Sequence, residues 1–401
     1  MSFNSQQHQF SLMLKSAGAA CNLACKYCYY LEKEKLSGVA CDAKHISEAL
    51  LEKSVREYIQ ANPWGANFVW HGGEPLLAPL EFYERVVELQ KKYANGVNIE
   101  NSIQTNGTLL NDSWCEFFAR NNWLVGVSID GPEDIHNKYR KTFDGRGTFE
   151  SVMRGINLLN KHGAEWNAMA VVSDYCAENP DAFYSFFKSI SCRFIQFTPV
   201  VERISNGSLA SLEDDGELAP YSVSPDSWGD FLCAVFDRWV ASDVGRVFVQ
   251  IFESTLANWL KLTPGVCTLS DSCGSSMVLN ANGDVYPCDH FVFKGYKIGN
   301  LYRQNFDQLC DSRGFKRFSK MKTQLLPDEC KRCQYYFACR GECPRNRFCK
   351  SPSGQPYSNY LCYGYKKFFE HVRPYMDYLK REFLAQRPLD SVMNFRVNED
   401  M

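Results

Sequence analysis

Three cysteines in the order Cys21-Asn-Leu-Ala-Cys25-Lys-Tyr-Cys28 put three soft thiolates within eight residues, directly after an apolar run that reads as a strand. The count of three separates two chemistries. A structural zinc site closes with four ligands, whereas three thiolates on a four-iron cluster leave one iron open to something else. Zinc completed by a ligand from elsewhere, such as His45, is the competing reading. A second group fills the 96 residues from Cys267 to Cys362: Cys267-x5-Cys273-x14-Cys288, then Cys330-x2-Cys333-x5-Cys339-x3-Cys343, and finally Cys362. Those eight thiols suffice for two fully ligated four-iron clusters, or for zinc ribbons built on the CxxC pair. Cys310 and Cys349 fall outside the pattern.

The chain holds eighteen cysteines among 401 residues. Its N-terminus, MSFNSQQHQFSLML, lacks a charged segment followed by an apolar core, and no run of about eighteen apolar residues occurs. A soluble, unexported, cytoplasmic protein is expected, in which metal accounts for the cysteines better than disulfides do. The five dispersed cysteines, Cys41, Cys115, Cys176, Cys192 and Cys233, are expected to be small buried hydrophobes. Basic residues number 44 and acidic ones 46, a formal charge of −2 that offers no general attraction to nucleic acid or to an acidic membrane.

The elements that must position these groups are legible as alternating strands and helices. Strands are expected at Phe10–Lys15, Asn67–His71, Asn98–Gln104, Leu124–Asp130, Asn167–Val172 and Phe194–Pro199. Amphipathic stretches lie between them at Ile46–Gln60, Pro79–Tyr93, Asp112–Arg120, Thr148–Lys161 and Asn179–Ser189. Six parallel strands with helices between them make an open or partial barrel, whose ligands sit beyond the carboxyl ends of the strands. Residues 205–225 are polar and acidic without periodicity and read as an exposed loop. Helices return at Trp228–Ala241 and Phe252–Leu262. Metal is expected to stand in for a hydrophobic core in the cysteine-rich region that follows. A last helix, about Tyr363–Leu384, precedes a tail expected to be poorly ordered.

Polar groups recur where those strands end: His71-Gly72-Gly73-Glu74-Pro75 after the second, Gln104-Thr105-Asn106-Gly107 after the third, and Ser128-Ile129-Asp130-Gly131-Pro132 after the fourth. Packing needs none of them there. With the CxxxCxxC loop and the aromatic residue before its last cysteine, the pattern resembles the radical S-adenosylmethionine superfamily. The resemblance implies S-adenosylmethionine contacts at Tyr27, Gly73, Ser128 and Arg140, and a backbone contact at Val201. A guanidinium at Arg140 has the fork geometry to take a carboxylate. The later cysteines and Tyr286-Pro287-Cys288-Asp289 resemble the SPASM extension and, within it, the anaerobic sulfatase-maturating enzymes, over roughly residues 10 to 385.

That resemblance implies an α/β fold: a partial (β/α)6 TIM-type barrel over residues 1–235, a connecting segment 236–265, a cysteine-rich SPASM domain 266–385, and a tail 386–401. It implies three [4Fe-4S] clusters, one on Cys21, Cys25 and Cys28, one on Cys267, Cys273, Cys288 and Cys343, and one on Cys330, Cys333, Cys339 and Cys362. The implied reaction is hydrogen abstraction by a 5′-deoxyadenosyl radical from a cysteine or serine of a sulfatase, giving Cα-formylglycine. Asp289 corresponds to the proton acceptor, with Tyr30 and His71 as neighbours of the substrate side chain. The implied partners are an unfolded or nascent sulfatase segment and a one-electron donor such as a flavodoxin or ferredoxin. Other peptide-modifying enzymes with the same extension, forming thioethers or crosslinks, and a non-enzymatic iron–sulfur or zinc protein are the alternatives.

Overall fold

The computed structural model describes residues 10–30, 45–210 and 215–396, so Cys41 lies outside the described residues. The chain forms two compact units.

The first unit gathers Met1–Ser128, Tyr139–Trp166 and Gly274–Lys320. Its strands β1 (Ser11–Lys15), β2 (Ala66–His71), β3 (Ile99–Thr105) and β4 (Leu124–Ser128) pair in parallel in that order. Apolar residues alternate into the core: Leu12, Leu14, Phe68, Trp70, Val125 and Val127 are fully buried. Burying each of the larger ones contributes about 1.5–3 kcal/mol. Helices Glu48–Ala61 and Asp112–Arg120 start where predicted to within two residues, because Ser47 and Asn111 accept the backbone N–H groups of Leu50 and Trp114 as N-caps. Helix Phe149–His162 stops at Gly163, whose φ of 66° lies in the left-handed region that ends helices. The last residues of the four strands are Lys15, His71, Thr105 and Ser128, so all four reach one edge of the sheet. Lys15 is in register with His71.

The second unit comprises Ile129–Lys138, Asn167–Cys273 and Met321–Met401. Here β5 (Trp166–Val172) pairs in parallel with β6 (Phe194–Pro199). The long helices Pro225–Ser242 and Cys362–Leu384 bury Trp228, Phe231, Phe236, Phe368 and Phe369.

Four expectations need correction. Residues 274–320 have an apolar core of their own: Ser276–Leu279 adds a strand parallel to β1, Asp284–Tyr286 pairs antiparallel with it, and Met277, Val278, Leu279, Val285 and Tyr286 are fully buried. Strands of only three or four residues carry too little periodicity to show in the sequence. The polar stretch 205–225 carries a small antiparallel sheet of Arg203–Ser205, Ser208–Leu209 and Glu217–Leu218, and buries Ala219 and Val223. The tail is ordered in part, since Leu389–Asn394 forms a 3-10 helix with Val392 buried. The strand expected over Leu124–Asp130 ends at Ser128, and a short helix, Glu133–Tyr139, follows unforeseen.

Candidate active site

The loop after β1 is pinned from two sides. The Gly73 N–H donates to the Gly18 carbonyl and the Glu74 N–H to that of Ala20, while the N–H groups of Ala24 and Lys26 donate to the carbonyls of Lys141 and Tyr139. Cys21, Cys25 and Cys28 sit in this loop, with Cys25 buried. The thiols of Cys25 and Cys28 lie near enough to Cys21 to interact electrostatically with it, and burial pushes the Cys21 thiol up to about 12. As a bare thiol Cys21 holds its proton, which a bound metal must displace.

Gly73 belongs here for a steric reason. A Cβ on it would lie 2.0 Å from the Ala20 carbonyl oxygen and 2.4 Å from that of Ala19. Gly73→Ala is therefore expected to displace the cysteine loop, and a shift of about 1 Å at a reacting centre costs on the order of a hundredfold in rate. Measured as formation of 5′-deoxyadenosine, the loss should exceed any change in overall folding followed by circular dichroism.

Glu74 is fully buried and accepts from the N–H of Leu76 (2.9 Å), the N–H of Asn106 (2.8 Å) and the hydroxyl of Thr105 (2.7 Å), which ties the second loop to the third. The Asn106 side-chain amide donates in turn to Oδ1 of Asn22 at 2.8 Å. Burial outweighs these donors and pushes the Glu74 carboxyl up to about 7. The native state thus holds this proton more tightly than the unfolded chain does. Its contribution to stability is present at acid pH and falls as pH rises from the ordinary carboxylate range to about 7. Thermal melts across that window are expected to show the decline, and Glu74→Gln, neutral throughout, to flatten it.

Four of the five predicted cofactor contacts, Tyr27, Gly73, Ser128 and Arg140, fall in the same unit. Arg140 is buried with its guanidinium over the Tyr27 ring, 5.5 Å from the centroid, and Ser128 accepts from the Gln104 amide at 3.0 Å. Val201 lies buried in the second unit after β6.

Asp289 is 6% exposed. Its carboxylate sits 3.4 Å from the Lys15 ammonium and accepts from the Tyr29 hydroxyl at 2.7 Å. The Lys15 ammonium lies 5.0 Å from the Tyr30 ring centre, and that ring stacks on His71 with centroids 5.5 Å apart. The Tyr30 hydroxyl is 3.2 Å from His71 Nδ1, which also accepts the Gly72 N–H at 2.7 Å. The Gly72 N–H makes Nδ1 an acceptor and so assigns the ring proton to Nε2. A buried acid, a cation, two phenols and an imidazole are thus joined at the carboxyl ends of β1 and β2.

In the second unit Cys330, Cys333, Cys339 and Cys362 line one cavity of about 120 Å³, and burial pushes the Cys339 thiol up to about 12. Cys267, Cys273 and Cys343 share a different neighbour, the ammonium of Lys322. Among the described residues no three His, Cys, Asp or Glu side chains converge on a point as ligands of one ion do. Cys310 is buried and Cys349 half-buried; Cys115, Cys176 and Cys192 are buried and Cys233 half-buried.

The chain matches the family model of the radical SAM superfamily over residues 16–186 and that of an iron–sulfur cluster-binding domain, SPASM, over residues 271–334. It is 55% identical over 390 residues to a serine-type anaerobic sulfatase-maturating enzyme of Bacteroides thetaiotaomicron, covering 95% of this chain and 94% of that one. The chain belongs to the anaerobic sulfatase-maturating enzymes. A cysteine-type anaerobic sulfatase-maturating enzyme of Clostridium novyi is 35% identical over 370 residues, 90% of this chain and 94% of its own. The solved structure of native anSMEcpe with bound AdoMet and Cp18Cys peptide superposes with a TM-score of 0.84 at 32% identity, covering 94% of this chain and 99% of that one.

The α/β fold with a parallel sheet and a C-terminal SPASM domain is that of these sulfatase-maturating enzymes. Their cofactors, S-adenosylmethionine and [4Fe-4S] clusters, fit the residues present: three thiols in one pinned loop, four around one cavity, and a buried guanidinium beside an aromatic ring. Sequence reasoning missed Lys15 and Tyr29, which hold Asp289, and Lys322. The residues carried a signal in one case only: Lys15 directly follows the apolar run Leu12-Met13-Leu14 within its strand, a place where a lysine needs a partner.

Proposed function

We propose that this protein oxidises a serine or cysteine side chain of a sulfatase polypeptide to Cα-formylglycine. The observation that carries the reading is Asp289, buried and held by Lys15 and Tyr29 in the same unit as the Cys21 loop. When bound, the cofactors supply a radical that takes a hydrogen atom from the substrate β-carbon, and a sink for the one electron left over. The chain's own residues do the rest. Cys21, Cys25 and Cys28 hold the first cluster; Tyr27, Gly73, Ser128, Arg140 and Val201 hold S-adenosylmethionine; Asp289 accepts the hydroxyl or thiol proton. Lys15 and Tyr29 fix the carboxylate, and Tyr30 with His71 orients the substrate heteroatom.

Cys267, Cys273, Cys288 and Cys343 hold one auxiliary cluster, and Cys330, Cys333, Cys339 and Cys362 the other. The grouping of the thiols around Lys322 and around the cavity supports this division. Serine is the favoured target, because the relative at 55% identity is named serine-type and the one at 35% cysteine-type. A flavodoxin or ferredoxin delivers the first electron, the substrate segment binds unfolded or nascent, and the setting is cytoplasmic.

The test is isotopic. A sulfatase-derived peptide deuterated at the β-carbon of its serine should transfer deuterium into 5′-deoxyadenosine under anaerobic, reducing conditions. Deuterium that stays in the peptide while S-adenosylmethionine is cleaved would count against the reading.

A further inference from the structure

Two buried cations stand among the cysteines of the second unit. Lys322 is 1% exposed, and its ammonium donates to the backbone carbonyls of Cys267 and, at 2.7 Å, Thr268. Arg347 is 4% exposed, and its guanidinium donates to the carbonyls of Gly341, Lys322, Leu325, Arg340 and Glu342. These acceptors are neutral. Glu342 is the buried carboxylate that interacts with both cations, and its own oxygen accepts from the side-chain amides of Asn346 and Asn359. Two positive charges against one negative leave an excess that a folded protein does not keep uncompensated away from water.

The thiols around these cations say what compensates it. Cys267, Cys273 and Cys343 interact with Lys322, whereas Arg347 interacts with Cys273 and Cys343 and also with Cys330 and Cys339, so Lys322 is the cation confined to the first group. A four-iron cluster on four thiolates is a net anion, and each added electron makes it more negative. Buried positive charge therefore favours the reduced form, since net charge, hydrogen bonding and solvent exposure set these potentials. The cavity lined by Cys330, Cys333, Cys339 and Cys362 has Lys366 at its wall, an exposed residue whose charge water screens.

We infer that Lys322, assisted by Arg347, raises the reduction potential of the cluster held by Cys267, Cys273, Cys288 and Cys343, making it the acceptor of the electron released by the substrate. This rests on the cluster assignment proposed above. The balance is closed: the substrate side chain gives one hydrogen atom to the radical, one proton to Asp289 and one electron to this cluster. A one-electron carrier of the flavodoxin or ferredoxin class then takes the electron away. Cys288 precedes Asp289 in the chain, so proton and electron leave by adjacent residues. Lys322 is a positioning residue here, since it acts through the cluster.

The experiment is a redox titration of the anaerobic holoenzyme followed by electron paramagnetic resonance, with iron counted in every sample. Lys322→Gln keeps the donors to the two carbonyls and loses the charge; Lys322→Arg keeps the charge. Arg347→Gln is titrated in parallel, so that loss of iron from one neutral variant leaves the other to decide. Lys322→Gln should make reduction of one auxiliary cluster at least about tenfold less favourable, which is 59 mV for a one-electron couple, and Arg347→Gln should lower the potential of that cluster as well. The other clusters should stay at wild-type potentials in Lys322→Gln, and all clusters in Lys322→Arg. Unchanged potentials in an iron-replete neutral variant, or iron lost from both neutral variants alike, would overturn the inference. Wild-type protein without a second and third reducible cluster would overturn the assignment beneath it, a result separable from an unchanged potential.

Discussion

Replacing Cys21, Cys25 and Cys28 together by Ala is expected to abolish cleavage of S-adenosylmethionine and to leave the auxiliary iron in place. The wild-type chain should carry about twelve irons and as many sulfides, and the variant about eight. The separation follows from where the ligands sit. The three thiols belong to one loop held by backbone hydrogen bonds to Gly18, Ala20, Lys141 and Tyr139, none of which involves their side chains. Seven of the eight auxiliary thiols belong to the other compact unit. The loop's anchors therefore survive the substitutions, and so do the other ligands. Retained production of 5′-deoxyadenosine by the triple variant would refute the assignment of the radical-generating site, and a colourless wild-type protein loaded with zinc would refute the cluster reading.

Asp289→Asn is expected to keep all iron and to go on cleaving S-adenosylmethionine, while formylglycine forms about a hundred to ten thousand times more slowly, the range a general base contributes. Asparagine preserves the shape and an acceptor oxygen for Tyr29 or Lys15, and cannot take the proton. The change also leaves the buried Lys15 ammonium facing a neutral group, so a stability loss of about 3 kcal/mol is expected alongside. The decisive quantity is the ratio of 5′-deoxyadenosine to aldehyde-bearing peptide in one anaerobic reaction. A ratio and turnover equal to wild type would remove Asp289 from the chemistry.

What the residues disclosed and what they concealed have one physical origin. Strands β1, β2, β4, β5 and β6 were legible because each buries alternate apolar side chains, and the site loops because glycines and polar residues cluster where the strands end. The partners of Asp289 were not, because Lys15 and Tyr29 lie 274 and 260 positions away from it, and no local pattern reports so distant a contact. The strands within residues 274–320 were missed for a related reason. Ser276–Leu279 is stable only as an added neighbour of β1, and its few residues have no period of their own. Cysteine spacing disclosed three and eight thiols; that three of the eight lie beside Lys322 and four others line a separate cavity was visible only in the fold.

The central claim is the conversion of a sulfatase side chain to formylglycine, and one measurement addresses it directly. The anaerobically reconstituted protein is mixed with S-adenosylmethionine, a strong reductant and two sulfatase-derived peptides that differ only in carrying serine or cysteine at the target position, and the peptides are weighed by mass spectrometry. The serine peptide should lose the mass of two hydrogens and react with an aldehyde reagent. The cysteine peptide, if accepted, should arrive at the same product mass by also exchanging sulfur for oxygen. Peptides that keep their mass, or that gain a thioether or a crosslink with no aldehyde, while 5′-deoxyadenosine accumulates, would contradict the account.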